Sequence, residues 1–203
     1  MRSLQIKHAR IVELGCFDAK TLDFLASADI EVQEYFGYDA NWEGGLDIGR
    51  ENWHECPTVH LNECTQPEEM LLLSSKANVG ICMETFEHLP DELVKPYIKQ
   101  LHHIVDGYLF VTVPVERGTM FLLRHLMKRV LRMEDYSFTR REFWSVVFSK
   151  MSDVQHDGHK GFDDRQLIRQ LADDFDILTI NGILPGLPVR TWNFNIGIVA
   201  KSR

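Results

Sequence analysis

The chain has 203 residues, 44% of them hydrophobic and 26% charged, which is ordinary for a globular protein with one sizeable core. No stretch approaches the roughly 18 continuous apolar residues of a membrane-spanning helix, and the polar start of the sequence lacks a signal-peptide core. Four scattered cysteines without a CxxC pair fit reduced thiols, so we expect a cytoplasmic protein. The net charge of −8 argues against a protein that coats nucleic acid.

The charge is unevenly distributed along the chain. Residues 117–150 contain eight basic and three acidic residues, a net charge of +5, which leaves −13 for the rest. This asymmetry is a clue to partners, because a basic segment attracts anions.

Strands and helices alternate in the first half of the chain. A buried strand from residue 10 ends beside Glu13, and a turn at Gly15 leads into a helix that contains residues 20–25. The loop 40–55 carries three glycines and has room for a short helix. Further strands are predicted at 31–38, 58–62, 79–83 and 107–113, with helices at 67–75 and 91–105. This alternation predicts right-handed crossovers and a doubly wound parallel sheet.

Two helices interrupt the alternation in the second half, at 119–132 and 140–149. Thr139 and Glu142 have the spacing of a capping box before the second of these helices. A polar loop, a helix at 164–172 and two strands at 175–182 and 191–200 follow. We therefore expect a single α/β domain over residues 1–203. It has a seven-stranded, mostly parallel sheet, a C-terminal antiparallel hairpin, and a helical lid segment at about 117–155.

The stretch from Val12 to Ala19 reads Val-Glu-Leu-Gly-Cys-Phe-Asp-Ala. It resembles the first motif of class I S-adenosylmethionine-dependent methyltransferases, roughly apolar-apolar-acid-apolar-Gly-x-Gly-x-Gly. The chain keeps Glu13 and Gly15, but Phe17 and Ala19 stand where the later glycines of the family usually lie. The alternating units that end in a hairpin also match the Rossmann-like fold of this family. The resemblance covers about residues 10–115.

A nucleotide-binding pattern surrounds this turn. Asp39 ends the second predicted strand, 24 residues after Gly15, where a carboxylate can accept hydrogen bonds from both hydroxyls of a ribose. A nicotinamide site is discounted because Gly-x-Gly-x-x-Gly is absent. The resemblance implies that Gly15 lies against the methionine part of S-adenosylmethionine, that Glu13 orients that part, and that Asn62 and Glu63 meet the adenine edge. Trp42 could flank the adenine or belong to the core. The residues expected around the cofactor are Glu13, Gly15, Cys16, Phe17, Asp18, Asp39, Ala40, Asn62, Glu63, Met83 and Glu84.

The most specific stretch is Glu84-Thr85-Phe86-Glu87-His88, after the fourth strand. One helical turn would place Glu84, Glu87 and His88 on one face, as a mixed oxygen and nitrogen ligand set suited to Mg or Mn. The stretch resembles that of ubiquinone-pathway O-methyltransferases and small-RNA 2′-O-methyltransferases, and the chain as a whole resembles the broad type 11/23 methyltransferases. The small-RNA 2′-O-methyltransferases add a downstream histidine, here His159. In metal-free relatives such a Glu-His pair caps a helix or polarises substrate.

Basic and apolar residues interleave along the lid segment. We expect Arg117, Arg124 and Lys128 to clamp an anionic, phosphate-bearing substrate. Two alternatives stay open: a helix at a membrane surface, and an amphipathic helix with a solvated basic face.

These features predict S-adenosylmethionine-dependent methyl transfer to a small hydroxyl-bearing acceptor, anionic or sugar-like. The candidate catalytic residues are His88, Glu87 and His159, with a divalent metal as an optional second cofactor. The alternatives are a cofactor-binding partner protein without turnover and an RNA 2′-O-methyltransferase. Oligomeric state is left open.

Overall fold

The computed structural model of the chain describes residues 6–70, 76–131, 138–154, 160–183 and 193–203. The strands are β1 (His8–Leu14), β2 (Glu31–Asp39), β3 (Val59–Glu63), β4 (Ala77–Met83), β5 (Val105–Pro114), β6 (Phe175–Gly182) and β7 (Asn195–Ser202). They form one seven-stranded sheet in the order β3-β2-β1-β4-β5-β7-β6. The first five strands pair in parallel, whereas β7 runs antiparallel to both β5 and β6. The predicted fold class is confirmed.

The helices are α1 (Thr21–Ser27), α2 (Gly45–Trp53), α3 (Asp91–Ile104), α4 (Gly118–Val130), α5 (Arg140–Val147) and α6 (Asp164–Asp174). Short 3-10 helices cover Pro67–Glu69, Phe86–His88 and Met151–Asp153. The helix predicted at 67–75 is wrong in its described part, because the 3-10 helix ends at Glu69 and Met70 has an extended backbone and a side chain buried in the core. Residues 71–75 lie outside the described ranges. No helix of the described residues is long and apolar enough to cross a bilayer.

Apolar side chains cover both faces of the sheet. On β1, Ile11 belongs to the cluster that includes α1 and α2, whereas its neighbour Val12 belongs to the cluster that includes α3 and α6. Successive residues of a strand point to opposite faces, so β1 is buried on both sides. The carboxyl ends of the parallel strands remain at one edge of this three-layer arrangement.

The lid segment has a small core of its own. Phe121 of α4, Val146 of α5 and Met151 are buried together. The predicted capping box is present at the start of α5: the Glu142 N–H donates to Thr139 Oγ1 at 3.2 Å, and the Thr139 N–H donates to Glu142 Oε2 at 2.9 Å. Its helices follow directly on β5, on the side of the carboxyl ends.

Candidate functional site

The direction in which the chain adds strands to the sheet changes at β1. Strands β2 and β3 lie on one side of β1, and β4 and β5 lie on the other. The carboxyl ends at such a switch point are where open α/β sheets bind their ligands. Gly15 follows β1 at this point with a left-handed φ of 76°, and a Cβ here would lie only 2.0 Å from Thr85 Oγ1. The tight join between β1 and β4 therefore requires glycine.

The turn after Gly15 has two further residues in the left-handed backbone conformation that glycine favours, and neither is a glycine. Phe17 and Ala19 have φ values of 46° and 59°, in the left-handed region that costs an L residue about 1–2 kcal/mol. The Phe17 ring packs on the start of α2, where a Cβ on Gly45 would lie 2.1 Å from Phe17 Cδ2. Packing of this ring and the burial of Ala19 thus hold a turn that glycine would adopt without strain.

Asp39 joins the turn after β1 to the loop after β2. Its Oδ2 accepts a hydrogen bond from the Phe17 N–H at 2.9 Å, and its Oδ1 accepts one from the Asn41 N–H at 2.8 Å. A carboxylate has about four lone-pair sites, so each oxygen can accept one further hydrogen bond. The structure thus brings the predicted ribose acid to the first turn, with capacity for a ligand donor on each oxygen.

Glu13 lies beneath the turn and is almost completely buried. Its Oε2 accepts from the Tyr35 hydroxyl at 2.6 Å, and its Oε1 accepts from the Thr21 hydroxyl at 2.9 Å. Burial raises the pKa of Glu13 to about 7; the bonds from Tyr35 and Thr21 lower the pKa in part, and the charge of Asp39 adds to the rise. The side chain therefore ties β1 to α1 and β2 from within the core.

Two other predicted residues of the turn also face inward. Cys16 is buried with its Sγ against Gly37, and burial raises the pKa of its thiol, which makes it an unreactive sulfur. Asp18 is nearly buried and its Oδ2 lies 3.0 Å from Lys20 Nζ. Only backbone atoms of these two residues are suited to face a ligand.

The remaining predicted cofactor residues lie at the ends of neighbouring strands. Ala40 and Asn62 are half-buried, and Glu63, which pairs with Asp39 in the sheet register, is exposed. Met83 is exposed at the end of β4, and Trp42 is 71% exposed in the loop after β2, which excludes a core position.

The predicted helical turn over Glu84, Glu87 and His88 is wrong. Glu84 has a left-handed φ of 51° and precedes the 3-10 helix, which begins at Phe86. Its Oε2 accepts a hydrogen bond from Asn195 Nδ2 of β7 at 2.9 Å. Glu84 and His88 are exposed, whereas Glu87 is fully buried, so the three side chains do not share a face.

Glu87 is an unusual buried acid. Both of its carboxyl oxygens are enclosed and accept no hydrogen bond from the described residues. Burial raises the pKa of Glu87 to about 8; its own backbone N–H lowers the pKa in part, and the nearby charges of Glu84 and Glu116 add to the rise. The side chain is therefore mostly neutral at pH 7, since an unpaired buried carboxylate would be costly.

Comparison with known proteins gives a likeness of structure only. No protein-family model matches the chain, and no curated protein resembles it in sequence. Among solved structures, the PH0226 protein of Pyrococcus horikoshii is similar over 99% of this chain and 85% of its own, with a TM-score of 0.67 and 11% identity. The magnesium protoporphyrin IX methyltransferase of Synechocystis, solved with bound SAH, covers 100% of this chain and 78% of its own, with a TM-score of 0.61 and 13% identity. The N-methyltransferase NodS of Bradyrhizobium japonicum is similar over 98% of this chain and 89% of its own, with a TM-score of 0.58 and 10% identity.

The chain has the class I methyltransferase fold. In this methyltransferase fold the switch point of the sheet coincides with the predicted cofactor turn at Gly15. The fold does not itself identify the acceptor.

The described members of the predicted metal-ligand set do not come together around one point. Among the described residues, no three His, Cys, Asp or Glu side chains are placed to hold one ion. Glu84 is bonded to Asn195, Glu87 is enclosed, and His88 points to the surface. His159 lies outside the described ranges. The described side chains therefore do not fit a divalent metal.

Two of the three predicted lid contacts are paired with acids of the protein itself. Arg117 is buried, and its Nε and Nη2 donate to Asp164 Oδ1 and Oδ2 at 2.7 and 3.1 Å. Arg124 Nη1 donates to Glu116 Oε1, and Lys128 is half-buried on α4. Neither acid is predicted as a partner from the sequence, although Asp164 stands at the start of a predicted helix and Glu116 directly precedes Arg117.

Proposed function

We propose that the chain binds S-adenosylmethionine and transfers its methyl group to a hydroxyl of a small acceptor. The observation that carries this proposal is Asp39 bonded to the Gly15–Phe17 turn at the switch point of a methyltransferase fold. One solved protein of the same fold holds SAH, the product form of this cofactor.

The residues at this edge fit the parts of the cofactor. Backbone groups of the Gly15 turn would face the methionine part, Asp39 would accept from the ribose hydroxyls, and Asn62 and Glu63 would meet the adenine edge, with Trp42 beside the ring. When bound, the cofactor supplies a methyl carbon made electrophilic by its sulfonium. The protein then has to align the acceptor oxygen with that carbon.

The acceptor hydroxyl has to lose a proton during transfer. His88 is the exposed last residue of the 3-10 helix that follows β4, on the side of the sheet where the cofactor would lie, and histidine is a common general base. We assign His88 as the general base. Glu87, directly before it and enclosed, is assigned as a positioning residue for this turn.

The acceptor would enter beneath the lid segment. Arg117 and Arg124 pair with Asp164 and Glu116, so these two side chains do not themselves support an anionic or sugar-like acceptor, which stays a proposal from the sequence. We propose that residues 1–203 act as one domain in which this segment covers the acceptor.

Calorimetric titration with S-adenosylmethionine and SAH tests the cofactor site. Asp39→Asn removes a charged acceptor and should weaken binding by about 10- to 100-fold, the equivalent of about 1.5–3 kcal/mol. Asp106→Asn is the matched control, because Asp106 is an exposed acid at the opposite, amino end of β5. Absence of binding by the wild-type protein, or equal affinity of Asp39→Asn, would refute the site.

A second candidate is a cofactor-binding protein without turnover. Two features favour this candidate. The carboxyl of Glu87 is enclosed and not open to a substrate, and the strained Phe17 and Ala19 stand where a cofactor turn usually has glycine. Transfer of a labelled methyl group to any member of a panel of hydroxylated small molecules would exclude this candidate. If the acceptor is RNA, cofactor-dependent binding of RNA should weaken steeply with salt.

A further inference from the structure

The outer side of α4 is apolar, contrary to the simple expectation of a solvated basic face. The exposed positions follow one another at helical spacings of three and four, which places them on a single stripe. The most exposed of them, Val130, has 81% of its surface accessible. The stripe consists of Leu123, Leu126, Met127, Val130 and Leu131.

A different side of α4 packs against the protein. Phe121 is buried and lies 5.6 Å from the Phe143 ring of α5 and 5.2 Å from the Phe138 ring, measured between ring centroids. The helix therefore has two apolar sides, one that joins it to α5 and one that faces water. Helix α5 carries a second group of exposed apolar side chains, Trp144 and Phe148, which stack at 5.8 Å and are each more than half exposed.

Basic residues border this surface. Arg129, Arg140, Arg141 and Lys150 are exposed on or beside the two helices. They account for much of the +5 charge of the segment on a chain of net charge −8. We call the stripe on α4, the Trp144–Phe148 pair and these basic residues the outer lid face.

We propose that the outer lid face binds the surface of an anionic lipid bilayer. Aliphatic side chains would enter the boundary between head groups and acyl chains, Trp144 would lie at the interface, and the basic residues would contact the anionic head groups. The composition of the face favours this occupant over the alternatives. Aliphatic side chains gain nothing from phosphates of a nucleic acid, and two copies of the face would oppose their positive charges.

Binding to vesicles tests the proposal without cofactor or turnover, so its outcome is independent of the proposed function. The full chain is floated with vesicles of equimolar phosphatidylcholine and phosphatidylglycerol, and with vesicles of phosphatidylcholine alone. We expect binding to the anionic vesicles, with little binding to the neutral ones.

Two pairs of substitutions separate the apolar from the electrostatic contribution. Arg140→Gln with Arg141→Gln should weaken binding about 25-fold, at about fivefold for each charge. Leu126→Ser with Val130→Ser should weaken it at least about tenfold, because both side chains leave the bilayer boundary. Phe24→Ser is the matched control, since Phe24 is equally exposed but lies on α1, away from the face. All five positions are at the surface, and circular dichroism verifies that the variants fold.

Three results would overturn the proposal. The first is failure of the wild-type protein to bind anionic vesicles. The second is unchanged binding in both substituted pairs. The third is a dimer in sedimentation equilibrium that the Leu126→Ser, Val130→Ser variant abolishes, together with no vesicle binding, which would assign the face to a second copy of the chain.

Discussion

The enclosed carboxyl of Glu87 predicts a large dependence of stability on pH. A pKa raised from 4.5 to about 8 corresponds to roughly 5 kcal/mol, at 1.36 kcal/mol for each pKa unit. Because the pKa is higher in the folded than in the unfolded protein, the folded state binds the proton more tightly. The contribution to the free energy of unfolding is therefore largest below about pH 4.5 and is lost as the pH rises to about 8.

Glu87→Gln should remove this dependence, because the amide stays neutral at every pH. As the pH rises from about 4 to about 9, the free energy of unfolding of the variant should increase relative to that of the wild type by roughly 5 kcal/mol. Most of this change should occur below about pH 8. Urea denaturation followed by tryptophan fluorescence measures both proteins across this range, provided that both unfold in two states. Glu13, whose pKa is also raised, contributes equally to both curves and cancels in the difference.

Glu51→Gln is the matched control, since Glu51 is exposed on α2 and should leave the shape of the pH curve unchanged. Parallel curves for the wild type and Glu87→Gln would refute the reasoning. They would mean that this carboxyl is hydrated or paired in the folded protein, and that the enclosed geometry is wrong.

Gly15→Ala should cost about 3 kcal/mol in urea denaturation, because a left-handed alanine is strained and its Cβ would overlap Thr85 Oγ1; unchanged stability would contradict the close approach. Arg117→Gln should cost about 3–5 kcal/mol by removing the buried guanidinium that donates two hydrogen bonds to Asp164, and the double variant with Asp164→Asn should cost less than the sum of the two single variants. A rise in KM with no loss of stability would instead make Arg117 a substrate contact. His88→Asn should lower kcat by about 100-fold or more with unchanged cofactor affinity, and full turnover would exclude it as the base.

The sheet was predictable because its signals are local. Parallel strands that are buried on both faces appear as apolar runs, and the Thr139–Glu142 cap needs only residues three apart. The site was less predictable because distant residues set its geometry. Asn195, which accounts for the position of Glu84, lies 111 residues further along the chain. Spacing alone suggested a helical turn after β4, whereas the left-handed backbone at Glu84 removes it.

Phe17 and Ala19 give a second case in which distant packing sets a backbone conformation that the sequence pattern does not predict. Their side chains argue against a glycine turn, yet the backbone adopts one because the Phe17 ring packs on Gly45 and Asp39 accepts the Phe17 N–H. A sequence pattern records which residue adopts a conformation without strain. It does not record the packing that holds another residue there.

The contacts of the basic residues in the lid segment explain part of the charge asymmetry of the chain. The sequence predicts an anion clamp from Arg117, Arg124 and Lys128, with a membrane-surface helix and a solvated basic face as alternatives, but the basic residues of the segment divide into two sets. Arg117 and Arg124 face inward and pair with Asp164 and Glu116, acids that lie outside residues 117–150. The exposed basic residues of α4 and α5 lie instead beside apolar side chains. The Arg117–Asp164 pair thus joins the lid segment to α6, and the exposed charge is left for a separate anionic surface.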